Sequence, residues 1–143
     1  MGEQQPMRSL ESLRHEYTEV VQTIRNYGNL RFAVFSIFFA VIGGVGFVAF
    51  GNGQFDAHAA MVARFGGFPV IALFWWYVER LDQLFAHHIS EAIELERSLG
   101  YRQFTTRPAQ PPYLPNFRVV GRGFFSLLTL LWAYAVFAVP LDR

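Results

Sequence analysis

Phe47-Val48-Ala49-Phe50-Gly51-Asn52-Gly53-Gln54-Phe55-Asp56 is the stretch on which this chain turns. Glycine and asparagine accept the backbone angles that a tight reversal requires, so Gly51-Asn52-Gly53 reads as a turn. On either side the sequence repeats one form, an apolar stretch next to the turn and an amphipathic stretch beyond it. Before the turn, Leu10, Leu13, Tyr17, Val20, Ile24 and Tyr27 recur at alternating threes and fours, which places them on one seam of a helix. After it, Val78, Leu81, Phe85, His88, Ala92, Leu95 and Leu99 do the same, with His88 the one polar member. A chain folded back near position 54 sets Leu10 beside Leu99, Leu13 beside Leu95, Tyr17 beside Ala92, Val20 beside His88, Ile24 beside Phe85 and Tyr27 beside Leu81.

Residues 30–50 carry one charge, Arg31 at their start, and residues 59–77 carry one, Arg64. At 1.5 Å per residue, about 20 residues cross a hydrocarbon core of about 30 Å, so each stretch is long enough to span a membrane. Residues 119–139 form a third such stretch, closed by Pro140. The predicted fold class is therefore an all-α integral membrane protein with three transmembrane helices. The first two extend into a cytoplasmic, antiparallel, coiled-coil-like hairpin. The 143 residues make one membrane domain: a cytoplasmic helix over 7–27, the first span over 30–50 and an external turn over 51–56. The second span over 59–77 leads into a cytoplasmic helix over 78–99, a proline-rich return over 100–117 and the third span over 119–139.

Local signals set the boundaries. Pro6 suits a first helical turn, and Gly28 offers a kink, although a helix continuous from Met7 to Phe50 is the simpler reading. Asp56 is placed to cap the second long helix, Gly66, Gly67 and Pro69 predict a bend within it, and Gly100 suits its C′ position. Trp75-Trp76-Tyr77 reads as an interfacial aromatic belt. Pro108, Pro111, Pro112 and Pro115 forbid helix and predict an extended path, after which Asn116 caps the third span.

Composition narrows the function. With 52% hydrophobic residues bunched into spans and a net charge of +1, no global field draws in nucleic acid, and none is expected as a partner. All 12 basic residues are arginine, which reads first as genome base composition and only secondarily as a preference for planar, bidentate partners. The absence of cysteine excludes disulfides, thiolate metal sites and cysteine nucleophiles. The N-terminal MGEQQPMRSL lacks the apolar core of a cleavable signal, and Pro6 breaks the myristoylation pattern. Arginines crowd residues 1–31 and 79–122 and are missing from the turn at 51–58. This puts the N-terminus and hairpin in the cytoplasm, and the turn and Leu141-Asp142-Arg143 outside an inner membrane.

Several residues are candidates for function. Gly43 and Gly44 fall opposite Gly66 and Gly67 in the expected register and predict close helix packing, with a gating hinge as the alternative. Arg64 either snorkels to the outer headgroups or pairs with Asp56 or His58, the alternative being a charged ring in an oligomeric pore. His88, against Val20, and Tyr17, against Ala92, read as register-fixing or pH-sensing seam residues. His87 and Glu91 share a helix face, yet no second helix completes a metal set, so no metal site is expected. The second seam helix bears Glu79, Asp82, Glu91, Glu94 and Glu96, complementary to the arginines of the return. Tyr101, Phe104, Tyr113 and Phe117 then cover Leu84, Ile89 and Ile93, which otherwise serve as oligomer or partner contacts. Arg118 and Arg122 read as anchors for anionic lipid headgroups.

No catalytic or nucleotide-binding motif appears, so neither an enzyme nor a cofactor is expected. The leading expectation is a homo-oligomeric inner-membrane protein that forms a pore-like or membrane-perturbing assembly with a helical stalk. The alternative is a non-conducting membrane-anchored adaptor or scaffold whose hairpin binds a cytoplasmic protein.

Overall fold

The computed structural model describes residues 9–51, 55–106 and 117–139. They form three helices, α1 (Leu10–Phe50), α2 (Ala57–Leu99) and α3 (Phe117–Ala138), and no strand is found among the described residues. Each helix is long and apolar enough to cross a membrane. Gly51 is described, whereas Asn52 and Gly53 of the turn, Pro6, Met7, the four prolines of the return, Tyr113, Asn116 and the C-terminal Leu141-Asp142-Arg143 lie outside the described residues.

Helix ends follow local chemistry. Ser9 caps α1, its hydroxyl accepting from the Ser12 amide at 3.2 Å, and Asp56 caps α2 through its side chain on the Ala59 amide. Neither Gly28 nor the Gly66-Gly67-Pro69 run ends a helix, so the amphipathic and apolar stretches of each arm are one element. Gly100, at a φ of +74°, stops α2, and the Tyr101 amide donates back to the Glu96 carbonyl at 3.1 Å. Beyond it the expected extended path gives way to a tight turn, in which the Thr106 amide donates to the Arg102 carbonyl at 3.2 Å. The prolines that forced the extended reading begin only at Pro108, so nothing in residues 102–106 forbids that turn.

The chain divides into two compact units, Met1–Leu30 with Asp82–Ala109, and Arg31–Leu81 with Gln110–Arg143. In the first, α1 and α2 run antiparallel around buried Ile24, Ala92 and Phe104, against which Tyr17, Val20, Val21, Phe85, Ile89 and Ile93 pack. The pairing departs from the expected register. His88 stacks on Tyr27 at 5.5 Å, where Val20 was expected, and the Tyr17 hydroxyl reaches Glu96, one turn beyond Ala92. A seam of threes and fours matches itself after a slip of about a turn, so specific contacts decide the register.

In the second unit α3 runs parallel to α1 and antiparallel to α2. Phe35 meets Phe124, and Glu79 meets Arg122, at one end; Phe50 meets Trp132 at the other. The interior is aromatic. Phe38 and Phe125 are 1% exposed, with ring centres 5.5 Å apart, and Phe74 lies 5.0 Å from Phe38. Trp75 leaves the expected belt to stack on Phe125, nearly parallel at 7°, and only Trp76 and Tyr77 remain exposed. The outer faces are apolar as well, with Phe32, Ile37, Phe39, Phe65, Leu130 and Phe137 among the exposed residues.

The glycines do not pack as expected. A Cβ on Gly43, Gly44 or Gly66 meets nothing within 4 Å, so the two glycine pairs do not close α1 onto α2. The close approach belongs to Gly67 and to α3, because a Cβ there would run into the Trp132 ring. Gly66 and Gly67 point about 100° apart around the helix, and only one of them faces the tryptophan. Gly67→Ala should therefore destabilise the protein by about 1–3 kcal/mol through overpacking, whereas Gly44→Ala should be neutral or mildly stabilising. Apparent melting temperatures of the two variants in one detergent check this, and equal values would contradict the Trp132 packing.

Candidate functional site

Three charged side chains are buried among the described residues, Arg64, Asp82 and Glu96, and of these Glu96 and Arg64, one in each unit, organise their surroundings. Glu96 lies in the last turn of α2 and is fully buried, 0% exposed. Burial alone costs a carboxylate its hydration, so it needs several donors. The turn after Gly100 provides them. The Phe104 amide donates to both carboxylate oxygens at 2.9 and 3.0 Å, the Thr105 amide to Oε2 at 2.9 Å, and the Thr105 hydroxyl to Oε2 at 2.7 Å. From α1, the Tyr17 hydroxyl donates to Oε1 at 2.9 Å. The same reversal buries Phe104 against Ile24 and Ala92, and Tyr101 packs edge-on to Tyr17 at 5.3 Å.

These contacts set the ionisation of the site. Burial pushes the Glu96 carboxyl upward, but the Thr105 hydroxyl, the Phe104 and Thr105 amides and the Tyr17 hydroxyl together outweigh it and hold the group at about 2. Burial and the neighbouring Glu96 carboxylate push the Tyr17 phenol up to about 12. Glu96 is therefore an ionised structural acceptor at neutral pH, and Tyr17 is a neutral donor to it.

His88 lies in the same unit. Its Nδ1 stands 2.8 Å from Glu91 Oε2, and His87 Nε2 stands 3.2 Å from Glu91 Oε1, so one carboxylate serves both rings. Among the described residues no group of three or more His, Asp or Glu is placed to hold a metal ion. Ile89 and Ile93 pack against the Phe104 cluster, the covering that the aromatic return offered as the alternative to a partner contact, and Leu84 is half-buried.

Arg64 is buried within the three-helix unit, 6% exposed. Instead of snorkelling outward, the side chain turns to backbone acceptors. Its Nε donates to the Ala49 carbonyl at 3.1 Å and its Nη1 to the Val139 carbonyl at 2.7 Å. Those acceptors stand at the C-terminal ends of α1 and α3, where carbonyls lack intrahelical partners and carry the negative end of the helix dipole. The guanidinium also lies 5.2 Å above the Phe50 ring. Trp132 completes the arrangement, its indole N–H donating to the Arg64 backbone carbonyl at 2.8 Å while its ring occupies the space left by Gly67.

At the opposite end of this unit Arg122 makes a bidentate pair with Glu79, at 2.6 and 3.1 Å, and Arg118 is exposed one turn earlier. Sequence reasoning missed Glu96 and Trp132. Glu96 was one acid among five on its helix; its signal was the seam tyrosine Tyr17, whose hydroxyl needs a partner once buried. Comparison with protein-family models, with curated proteins and with solved structures finds no match.

The shifts of Glu96 and Tyr17 fix a pH dependence for their unit. The folded Glu96 value lies below its ordinary value of 4.5, so its contribution is complete above pH 4.5 and is lost as pH falls toward about 2. The folded Tyr17 value lies above 10.0, so its contribution is complete below pH 10 and is lost as pH rises toward about 12. At neutral pH Glu96→Gln should weaken charge-assisted bonds worth about 1.5–3 kcal/mol each, and amide exchange at Phe104 and Thr105 should quicken about tenfold or more. The difference in melting temperature between the native chain and the variant should shrink as pH falls from 4.5 to 2. Unchanged exchange at both amides would contradict the role given to Glu96.

Proposed function

We propose that this protein is a non-conducting membrane-anchored adaptor, in which the three-helix unit resides in an inner membrane and the Tyr17–Glu96 unit binds a protein partner in the cytoplasm. What carries the choice over a pore is the burial of Arg64. A pore on an oligomer axis needs that charge on an aqueous surface, whereas its side chain donates to helix-end carbonyls inside the protomer. The aromatic interior around Phe38, Phe74 and Phe125 offers no polar lining either.

Membrane residence is supported by the three apolar helices and by their outward faces. At most 22% of the residues in each helix's apolar window are buried inside the protein, so the remainder present apolar surface that lipid would cover. The arginine distribution supports an N-terminus in the cytoplasm and a C-terminus outside. Self-association of the spans belongs to this reading, because Gly43 and Gly44 leave open space where a second helix can approach closely. Catalysis has no part in it.

The test is electrical and then biochemical. Purified protein, confirmed as inserted in planar bilayers, should pass no current. A current whose anion/cation preference shifts in Arg64→Glu would overturn the adaptor reading in favour of the pore. Arg64→Gln should instead act on stability, lowering the melting temperature by several degrees, since the carbonyls of Ala49 and Val139 lose a charged donor.

A further inference from the structure

One end of the three-helix unit gathers arginines from all three helices. Phe35 of α1 and Trp75 of α2 both pack against Phe125 of α3, and Glu79 of α2 meets Arg122 of α3, which sets these positions at a common level. Arg31 stands one turn before Phe35, Arg118 one turn before Arg122, and Arg80 directly after Glu79. Four arginines therefore share this end with Glu79, the buried Asp82 follows Arg80 by two residues on α2, and Trp76 and Tyr77 are exposed beside them. At the other end Arg64 is buried in carbonyl contacts.

We propose that this end is a binding site for the phosphate of an anionic phospholipid, with Arg118 and Arg122 as its donors. The inference rests on the membrane placement proposed above and extends it from a charge bias to a built site. A guanidinium presents paired N–H groups in the spacing of two phosphate oxygens, and the bidentate Glu79 contact shows that Arg122 already holds an oxyanion in that manner. Glu79 fixes the Arg122 plane, and Arg118, exposed and one turn away on the same face of α3, supplies the neighbouring charge. Trp76 and Tyr77 are the amphipathic residues that settle at headgroup depth, where that phosphate lies. A lipid suits the site better than a soluble anion, because the surface continuing from it along the spans, Phe32, Leu73 and Leu127 among its residues, is apolar and fits acyl chains.

The experiment uses the full chain in vesicles of phosphatidylcholine mixed with phosphatidylglycerol, one or the other brominated, so that tryptophan quenching reports which lipid sits beside the protein. Trp75 and Trp76 lie near the arginines, and Trp132 gives a constant background. Phosphatidylglycerol should quench in excess of its share of the mixture. Its preference over phosphatidylcholine should fall about fivefold in Arg118→Gln and by a similar further factor when Arg122→Gln is added. Arg25→Gln, an exposed arginine of the other unit, should leave the preference unchanged, and Arg118→Gln should keep the native melting temperature.

Equal quenching by both lipids would overturn the proposal. So would an equal loss in Arg25→Gln, because the preference would then be a diffuse field effect. Loss of the preference on replacing chloride with inorganic phosphate at equal ionic strength would assign the site to a soluble phosphate and also overturn it. Absence of quenching by either brominated lipid would fail the membrane placement itself, which separates that outcome from failure of the site.

Discussion

A guanidinium that takes up the carbonyls left over at two helix ends is the contact on which the three-helix unit depends. Helices leave their last carbonyls without intrahelical partners, and in an apolar surrounding no water replaces them. Arg64 reaches the end of α1 at Ala49 and the end of α3 at Val139, and its charge matches the negative pole of both helix dipoles. On insertion scales an unpaired arginine at the centre of a membrane-spanning helix costs about 2.5–3.5 kcal/mol, so on the proposed membrane placement the carbonyl bonds and the Phe50 ring offset the part of that cost which Arg64 carries near the helix ends. Position also matters. Trp132 binds the Arg64 backbone and enters the gap at Gly67, so the residue that anchors two helix ends is itself held by the third helix.

The other unit solves the converse problem with the converse charge. Where a chain leaves a helix and reverses, successive amides lose their ladder partners, and a buried carboxylate can accept several of them. Glu96 accepts from Phe104 and Thr105 while its own carbonyl takes the Tyr101 amide, so one residue both ends the helix and shapes the turn beyond it. Gly100 makes the reversal sterically accessible, and Phe104 converts it into buried apolar surface. Tyr17 then ties α1 to the same carboxylate, which gives the antiparallel pair a specific polar contact in a periodic seam.

Periodicity and punctuation made much of this fold readable. Alternating threes and fours revealed the helices, charge-poor stretches revealed candidate spans, and Asp56 and Gly100 marked helix ends by their chemistry. Register was not readable in the same way, because a heptad-like seam is nearly unchanged by a slip of one turn, and the contacts that select one alignment are single hydrogen bonds between distant residues. Facing was lost for a related reason. Adjacent glycines at 66 and 67 look equivalent in sequence, and only the third helix, through Trp132, distinguishes them. Arg64 was conspicuous as a charge, yet its partners are backbone carbonyls, which every residue possesses and no side-chain pattern announces.

Burial of charge separates the two units in their capacity for function. In the three-helix unit the interior is aromatic, the exterior is apolar, and the deep charge is used in holding helices together, so little chemistry is left for solvent or solute. The Tyr17–Glu96 unit differs. Its interior is small and centred on Ala92, and polar groups remain at its surface, where His87 and Glu91 are exposed or half-exposed around a shared contact. On the adaptor reading a surface of that composition suits a partner that reads charge and shape, whereas the three-helix unit is left to lipid or its own kind. On the adaptor reading, specific recognition therefore falls to the smaller unit, and the rigid turn that Glu96 imposes after α2 is what gives its surface a fixed form.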